Sequence, residues 1–387
     1  MATIDNEHLT TLKGAYDVQL MEVSLRVQRF DGDEGARRRY ERYTVEVPTT
    51  ATLLDCLDAV KDKHDGSLAY RKSCRMAVCG SCGMRLDGGA VLACKVPMRP
   101  YVDAGHAVTV APMGNLPVVK DLVVDMQPFW HKVRAVKPWL DTGDEAPPAT
   151  EWRVAPAQHE ALAKESLCIM CGCCVSECNS MEADPDFLGP AALAKAYRFV
   201  GDVRDLDTRE RLKDLNGAHG IWDCTRCYFC NQRCPKGVDP RDAIAKLGAE
   251  SVRAGIDRDM GAKHAKWFVR SAETTGWLRE TELVPKTQGL VSAIKETKFA
   301  ISLAKKGKVP PPFPPHVAEN VREARALRDL LKTQGREGAA GHVQGERALS
   351  RIEHAVMADP DHAAAGRDAP EITPGEEPVN RDVGERP

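Results

Sequence analysis

The spacing of its cysteines constrains this chain more than any other feature of the sequence. There are fourteen cysteines in 387 residues, and twelve of them fall into three regularly spaced groups. The first group reads C-x4-C-x2-C-x11-C and consists of Cys74, Cys79, Cys82 and Cys94. The other two each contain C-x2-C-x2-C-x3-C and consist of Cys168, Cys171, Cys174 and Cys178, and of Cys224, Cys227, Cys230 and Cys234. Such spacing is typical of thiols that share a metal centre.

The first group has the spacing of plant-type 2Fe-2S ferredoxins. Gly80 and Gly83 lie among its cysteines, where they let the backbone approach inorganic sulfide and donate N–H groups to it. Zinc is the alternative, but zinc sites favour two matched C-x2-C pairs. We therefore predict one 2Fe-2S cluster bound by Cys74, Cys79, Cys82 and Cys94.

The other two groups have the spacing of bacterial two-cluster ferredoxins, down to the final Cys234-Pro235. In those ferredoxins the fourth cysteine of each run binds the cluster of the other run. This predicts one 4Fe-4S cluster at Cys168, Cys171, Cys174 and Cys234. It predicts a second at Cys178, Cys224, Cys227 and Cys230, which is 4Fe-4S, or 3Fe-4S without Cys227. The remaining Cys56 and Cys173 are predicted to be packed thiols.

Charge and hydropathy narrow the classes of function. The chain has 54 basic and 56 acidic residues, so no strong overall field favours nucleic acid as a partner. No apolar run approaches the ~20 residues of a membrane span, and no signal peptide is evident, so we expect a soluble, cytoplasmic chain. Thiols stay reduced in the cytosol, which favours cluster binding over disulfides.

No G-x-G-x-x-G or Walker motif occurs, so we expect no catalytic residue and assign hydride chemistry to a partner.

Residues 1–117 have the composition of a small β-rich domain. Strands are predicted at Val18–Phe30 and Tyr40–Val47, followed by a helix at Thr52–Lys63. Asp87-Gly88-Gly89 predicts the turn of a hairpin between two short apolar stretches. Together with the cysteine loop, these elements predict a β-grasp 2Fe-2S ferredoxin domain.

Residues 118–255 have helical periodicity and are predicted to form an α-helical domain with two cubane clusters, so the fold class is α+β. Residues 256–387 are predicted to be a mostly helical extension, interrupted by the prolines at 310–315. Its tail, from about Asp359, is rich in Pro, Gly and charge and is predicted to be disordered. In these two parts, helices are predicted at Gly189–Val200, Asp239–Ala254, Ala262–Thr274, Leu290–Lys305 and His316–Lys332.

One helix of the extension, Leu290–Lys305, is amphipathic. Leu290, Ile294, Ile301 and Ala304 lie on one face, and Lys295, Lys298 and Lys305 lie elsewhere. Three interpretations are open: the apolar face packs on its own protein, contacts a partner subunit, or lies on a membrane surface.

Six stretches around the cysteines carry a specific pattern, namely Tyr70–Gly83, Leu116–Met126, Cys168–Cys174, Phe187–Ala191, Ala196–Phe199 and Cys234–Pro240. In amino-acid sequence and in order along the chain they resemble the iron-sulfur subunits of succinate dehydrogenases and fumarate reductases, over roughly residues 18–250. The resemblance implies an electron-transfer subunit of a complex that acts in electron transport and the tricarboxylic acid cycle. Its partners would be a FAD-containing flavoprotein and a membrane anchor with its quinone, the N-terminal domain facing the flavoprotein. The chain would be peripheral on the cytoplasmic face of the membrane.

Three features depart from the common pattern of that family. Cys227 replaces a non-cysteine residue that gives most members a 3Fe-4S cluster, so a third cluster of the 4Fe-4S type is expected here. Asn179–Asp184 and Thr225 replace residues that line the quinone pocket in many members. The chain also continues past residue 255, where typical members end. This extension resembles tails of relatives with cysteine-rich, heterodisulfide-reductase-like anchor subunits.

Two alternative functions are also compatible with the sequence. The first is the iron-sulfur subunit of a heterodisulfide-reductase-like or thiol-dependent fumarate reductase, which the identity of the neighbouring polypeptide would distinguish. The second is a zinc-stabilised scaffold without a redox role, which would be colourless in visible light.

Overall fold

A computed structural model of the chain describes residues 19–32, 37–143 and 151–308, together with Val317 and Val321. Val18, the proline connector at 310–315 and the predicted tail from Asp359 lie outside the described residues. The predicted helix at His316–Lys332 also lies outside them, apart from those two valines.

A five-stranded mixed sheet forms the scaffold of the N-terminal part. Its order is β2-β1-β5-β3-β4, with β1 parallel to β5 and the other neighbours antiparallel. Side chains along β1 alternate between exposed and buried because successive residues of a strand point to opposite faces. The strands are β1 Leu20–Arg29, β2 Arg39–Pro48, β3 Gly83–Leu86, β4 Gly89–Leu92 and β5 Val108–Ala111.

Helix α1 (Leu53–Lys63) shares the apolar core of this sheet. The Thr52 hydroxyl accepts a hydrogen bond from the Asp55 N–H, and the Asp55 carboxylate accepts one from the Thr52 N–H. This capping box satisfies two N–H groups that the start of a helix leaves without partners. Leu57 and Val60 then face the core with Leu25 of β1. The predicted helix at Thr52–Lys63 is confirmed to within one residue.

The predicted hairpin is also confirmed. Asp87 and Gly88 form a two-residue turn with φ values of 47° and 81°, and Gly89 is already the first residue of β4. Positive φ at both turn positions fits the right-handed twist of the flanking strands. The hairpin returns the chain to Cys94, which lies in a short 3-10 turn at Ala93–Lys95.

An ion pair joins β1 to a second, two-stranded sheet, β6 (Val118–Lys120) and β7 (Val123–Val124). The Arg29 Nε donates to the Asp121 Oδ1 at 2.9 Å, and both side chains are buried. Asp121 also accepts hydrogen bonds from the backbone N–H groups of Phe30 and Ala69. One carboxylate therefore ties together three separate segments of the chain.

The rest of the described chain is helical. Phe187, Leu193, Leu212 and Leu247 lie at the centre of its core, where α8 packs on α11. The helices are α2 Arg99–Asp103, α3 Gln127–Ala135, α4 Pro156–Ala161, α5 Ala163–Ser166, α6 Cys173–Ser176, α7 Asn179–Ala183, α8 Gly189–Val200, α9 Thr208–Leu215, α10 Phe229–Gln232, α11 Pro240–Arg253, α12 Met260–Thr275, α13 Glu280–Thr287, α14 Leu290–Lys295 and α15 Thr297–Lys305.

The extension begins with α12, which lies against the 3-10 turn at Ile221–Asp223. Gly261 permits this contact, since a Cβ there would lie 2.3 Å from the Cβ of Trp222. The single helix predicted at Leu290–Lys305 is wrong in one respect: the chain forms two helices, α14 and α15, divided at Glu296. Among the described residues, no helix has the length and apolar character needed to cross a bilayer.

We expect Asp121→Ala to lower the free energy of unfolding by about 3 kcal/mol, because it leaves the buried Arg29 without its buried carboxylate partner. Anaerobic urea unfolding followed by circular dichroism would measure this. The matched control is Asp31→Ala, which removes an exposed carboxylate paired with Lys120 and should cost less than about 1 kcal/mol. Equal losses in both variants would contradict the role assigned to Asp121.

Candidate metal centres

The loop before β3 surrounds the first cysteine group with backbone donors. The N–H groups of Met76, Val78 and Cys79 point at the Cys74 Sγ from 3.3 to 3.4 Å. The Ala77 N–H donates to the Cys94 Sγ at 3.3 Å. Positive φ at Arg75 and at Ala77, on either side of Met76, turns these N–H groups inward. A concave set of N–H groups of this kind stabilises negative charge on thiolates.

The β3–β4 hairpin completes the first group. Cys82 precedes β3 and Cys94 follows β4, and their sulfurs lie 3.4 Å apart. A hydrogen bond from the Ser81 hydroxyl lowers the pKa of Cys79 to about 6, whereas burial raises the pKa of Cys82 to about 11. The four predicted ligands of the first group are thus brought together, with Cys79 on the exposed side and Cys82 on the core side.

A cavity lies between α6, α8 and the start of α11. Its walls are small and apolar, including Ala191 and Ala194 of α8 and Val238. The Val238 N–H donates to the Cys234 Sγ at 3.3 Å. The thiols that line this cavity are those of Cys168, Cys171, Cys174 and Cys234.

A second cavity lies between α7, α10 and α11. Phe187, Ile244 and Arg241 form part of its wall, and the Arg226 N–H donates to the Cys224 Sγ at 3.4 Å. The thiols that line it are those of Cys178, Cys224, Cys227 and Cys230. Each cavity therefore takes three thiols from one run and the fourth from the other, which is the grouping that the two-cluster spacing predicts.

The two cysteine runs have the same local backbone. Met170 and Arg226 occupy equivalent positions and have φ values of 58° and 57°. Gly172 and Tyr228 are equivalent in the same way, with φ values of 83° and 69°, and each immediately precedes a short helix. Left-handed residues at these two places turn the chain so that three thiols of one run face one cavity. Sequence spacing did not identify them, because only one of the four is a glycine.

Burial disfavours the thiolate form at two cysteines of the second cavity. Burial raises the pKa of Cys230 to about 12 and moves the pKa of Cys178 in the same direction. Such thiols hold their protons until a metal displaces them. Cys56 and Cys173 lie fully buried in the apolar core and line neither cavity.

The first cysteine loop touches the second at Gly80. A Cβ at this position would lie 2.7 Å from the Cβ of Cys171, and the φ of Gly80 is 74°. At Gly83, a Cβ would lie 3.3 Å from the Cys171 carbonyl oxygen. Both glycines therefore permit close approach to the next cysteine run, a role that the sequence analysis did not assign to them.

Polar side chains hold the same two regions together. The Arg85 Nε of β3 donates to the Glu177 Oε1 at 2.7 Å. The Asn115 Nδ2 donates to the carbonyl oxygens of Val175 and Cys178 at 2.8 and 3.0 Å. These contacts bridge 60 or more positions in sequence, so no spacing pattern could reveal them.

Two family models match the chain. One, described as a 2Fe-2S iron-sulfur cluster binding domain, matches residues 24–131; the other, a 4Fe-4S dicluster domain, matches residues 165–238. The fumarate reductase iron-sulfur subunit of Haemophilus influenzae is 39% identical over 243 residues, which are 60% of this chain and 93% of that protein. This chain belongs to the family of fumarate reductase iron-sulfur subunits.

Other members of this iron-sulfur subunit family extend the comparison. The fumarate reductase iron-sulfur subunit of Mycobacterium tuberculosis is 41% identical over 225 residues, covering 58% of this chain and 90% of that protein. The 8-methylmenaquinol:fumarate reductase iron-sulfur subunit of Wolinella succinogenes is 34% identical over 293 residues, covering 74% of this chain and 90% of that protein. That match is longer than residues 1–255, so it includes part of the extension.

A solved structure shows the same fold. A chain of the Mycobacterium smegmatis Sdh1 complex in the apo form has a TM-score of 0.54 and 24% identity, and the similarity covers 61% of this chain and 98% of that one. The predicted family and the α+β fold class are confirmed. So is the prediction of a subunit of an oxidoreductase complex with 2Fe-2S and 4Fe-4S binding domains.

We expect Gly80→Ala to weaken the contact between the first two cysteine groups, because the new Cβ both clashes with Cys171 and strains a left-handed backbone. Strain alone costs about 1–2 kcal/mol, so the loss of unfolding free energy should exceed that. Gly105→Ala is the control: its φ is 64°, with nothing within 4 Å of the added Cβ. If urea unfolding gave the same loss of unfolding free energy for both variants, the close approach at Gly80 would not contribute to stability.

Proposed function

We propose that this chain is the electron-transfer iron-sulfur subunit of a succinate:quinone oxidoreductase or fumarate reductase, relaying electrons between a FAD-containing flavoprotein subunit and a membrane anchor with its quinone. The observation that carries the proposal is the series of three four-thiol groups, the first in contact with the second at Gly80 and Cys171. Iron-sulfur clusters, when bound, supply one-electron redox centres. The chain itself contributes no catalytic residue, since succinate and fumarate react in the flavoprotein.

The protein residues hold and tune these centres. The ligands are Cys74, Cys79, Cys82 and Cys94 in the first group, Cys168, Cys171, Cys174 and Cys234 in the second, and Cys178, Cys224, Cys227 and Cys230 in the third. Backbone N–H groups next to the sulfurs raise reduction potentials by stabilising added negative charge. The division into domains at 1–117, 118–255 and 256–387 assigns one cluster to the first domain and two to the second.

The third cluster is of the 4Fe-4S type in this proposal. Cys227 lines the same cavity as Cys178, Cys224 and Cys230, so a fourth thiol is available where most relatives lack one. A zinc scaffold is a poorer account, since both matching family models describe iron-sulfur clusters.

The flavoprotein would dock at the loop of the first cysteine group. Met76 and Val78 of that loop are 71% and 55% exposed and lie beside Cys79, so a partner could cover the apolar rim of the group. The helical domain would face the anchor, which places the chain peripherally on the cytoplasmic face of the membrane through its partners.

The exit for electrons lies beside Cys178 and is polar. Asn179 and Glu182 of α7 are exposed there, and Asp184 accepts a hydrogen bond from His219 at 2.7 Å. Carboxylates disfavour a quinone that gains negative charge on reduction. We therefore propose that electrons leave to a redox group in a partner subunit, and that quinone is reached indirectly. The same feature favours a cysteine-rich, heterodisulfide-reductase-like anchor as the second candidate.

The third cluster can be tested by electron paramagnetic resonance of the anaerobic, oxidised protein. We expect wild type to lack the strong signal of a 3Fe-4S centre and Cys227→Ser to acquire it, because the variant retains three thiols in that cavity. Cys56→Ala removes a buried thiol of the N-terminal core and should leave the spectrum unchanged. A strong 3Fe-4S signal in undamaged wild type would refute the 4Fe-4S assignment.

Turnover of succinate tests the division of labour between subunits. We expect the purified, cluster-loaded chain to reduce no dye with succinate, since it has no group that accepts a hydride. The complex isolated with its flavoprotein should show that activity. Activity of the flavin-free chain would contradict the proposal, as would co-purification with partners that contain no flavoprotein.

A further inference from the structure

The last described helices leave large apolar side chains in solvent. Val291 and Ile294 of α14 are 70% and 73% exposed, and Phe299 of α15 is 63% exposed. Ile301 is exposed as well. Among the three interpretations of this segment, packing on its own protein is therefore not what these side chains do in the described structure. Neighbouring exposed apolar groups of this size mark interaction surfaces.

Helix α15 has two distinct faces. Phe299 and Leu303 are four residues apart, so their side chains lie on the same side of the helix. Lys298, Ser302 and Lys305 follow the i, i+4, i+7 pattern and lie on the other side. Phe299 and Leu303 thus form one apolar face of the helix, from which Lys298 and Lys305 point away.

The segment from residue 290 to 308 carries a concentrated positive charge. It contains one acidic residue, Glu296, and no arginine. Its lysines form no ion pair with other described residues. They are Lys295, Lys298, Lys305, Lys306 and Lys308. Together with the exposed apolar face, this charge requires an occupant that offers both an apolar environment and negative charge.

An anionic lipid surface fits this requirement better than a protein does. Protein interfaces are enriched in arginine and depleted in lysine, whereas helices that lie in the membrane interface carry lysine on one face and Phe or Leu on the other. The lysine stems are long enough to reach lipid phosphates while the apolar face is buried. We infer that residues 290–308 bind directly to an anionic membrane surface, with the apolar face of α15 in the headgroup region. The chain would then contact lipid itself, in addition to its proposed attachment through partner subunits.

Flotation of the full-length, cluster-loaded chain with lipid vesicles tests this inference. We expect binding to vesicles of phosphatidylcholine with phosphatidylglycerol, and little binding to phosphatidylcholine alone. Salt at about 1 M, where the Debye length is about 3 Å, should weaken the binding. Lys298→Gln/Lys305→Gln/Lys306→Gln should lower the partition coefficient about 100-fold, given the contribution of each lysine near an anionic surface.

A matched control has the same change of charge elsewhere. Arg38→Gln/Lys63→Gln/Lys263→Gln neutralises three exposed basic residues outside the segment and should bind like wild type. Phe299→Ser should weaken binding about tenfold while leaving the cluster absorbance and circular dichroism unchanged, since this side chain is mostly exposed.

Several outcomes would overturn the inference. They are absence of binding to anionic vesicles, equal loss in the lysine variant and its control, and full binding by Phe299→Ser. Binding that requires the partner subunits would assign the segment to a protein contact and would also contradict it. None of these outcomes bears on the clusters or on succinate turnover, so the proposed function is tested separately.

Discussion

Each helical cavity gathers thiols from two separate cysteine runs, and this exchange constrains how residues 168–253 can fold. Cys234 must reach the cavity of the first run, and Cys178 must reach the cavity of the second. Helices α8 and α11 pack on each other, and residues of both line each of the two cavities. Neither cavity is complete if one run is displaced, so the two halves of the helical domain are expected to form together.

The N-terminal sheet likewise positions residues of two thiol groups at once. The β3–β4 hairpin returns Cys94 to the first group, and the loop before it carries Gly80 against Cys171. Arg85, at the middle of β3, holds Glu177 between Cys174 and Cys178. A single short hairpin therefore positions the first thiol group and fixes its distance from the second. That arrangement gives the chain its proposed role, since electron transfer requires closely spaced centres more than it requires a substrate pocket.

Local signals predicted much of this architecture. The turn residues Asp87 and Gly88 fixed the hairpin, and the apolar periodicity of Gly189–Val200 gave that helix its observed bounds. The cysteine spacing predicted which thiols share a cavity, because three of them lie on one short run and the two-cluster pattern assigns the fourth to the other run. Ligation itself stays a prediction, as do the cluster types.

Long-range features were not predictable in the same way. The Arg29–Asp121 pair joins residues 92 positions apart, and no pattern in either segment selects the partner. Strands β6 and β7 are too short to show a period. The break at Glu296 depends on backbone geometry that apolar periodicity does not report. Left-handed residues such as Tyr228 escaped notice because bulky side chains seldom take that conformation.

The central claim, that this chain carries three iron-sulfur clusters, is tested most directly by counting metal and sulfide. Anaerobically purified protein should contain about ten iron atoms and about ten acid-labile sulfides per chain, the sum for one 2Fe-2S and two 4Fe-4S clusters. It should also absorb in the visible range. Zinc in place of iron, or a sulfide content near zero in colourless folded protein, would contradict the account.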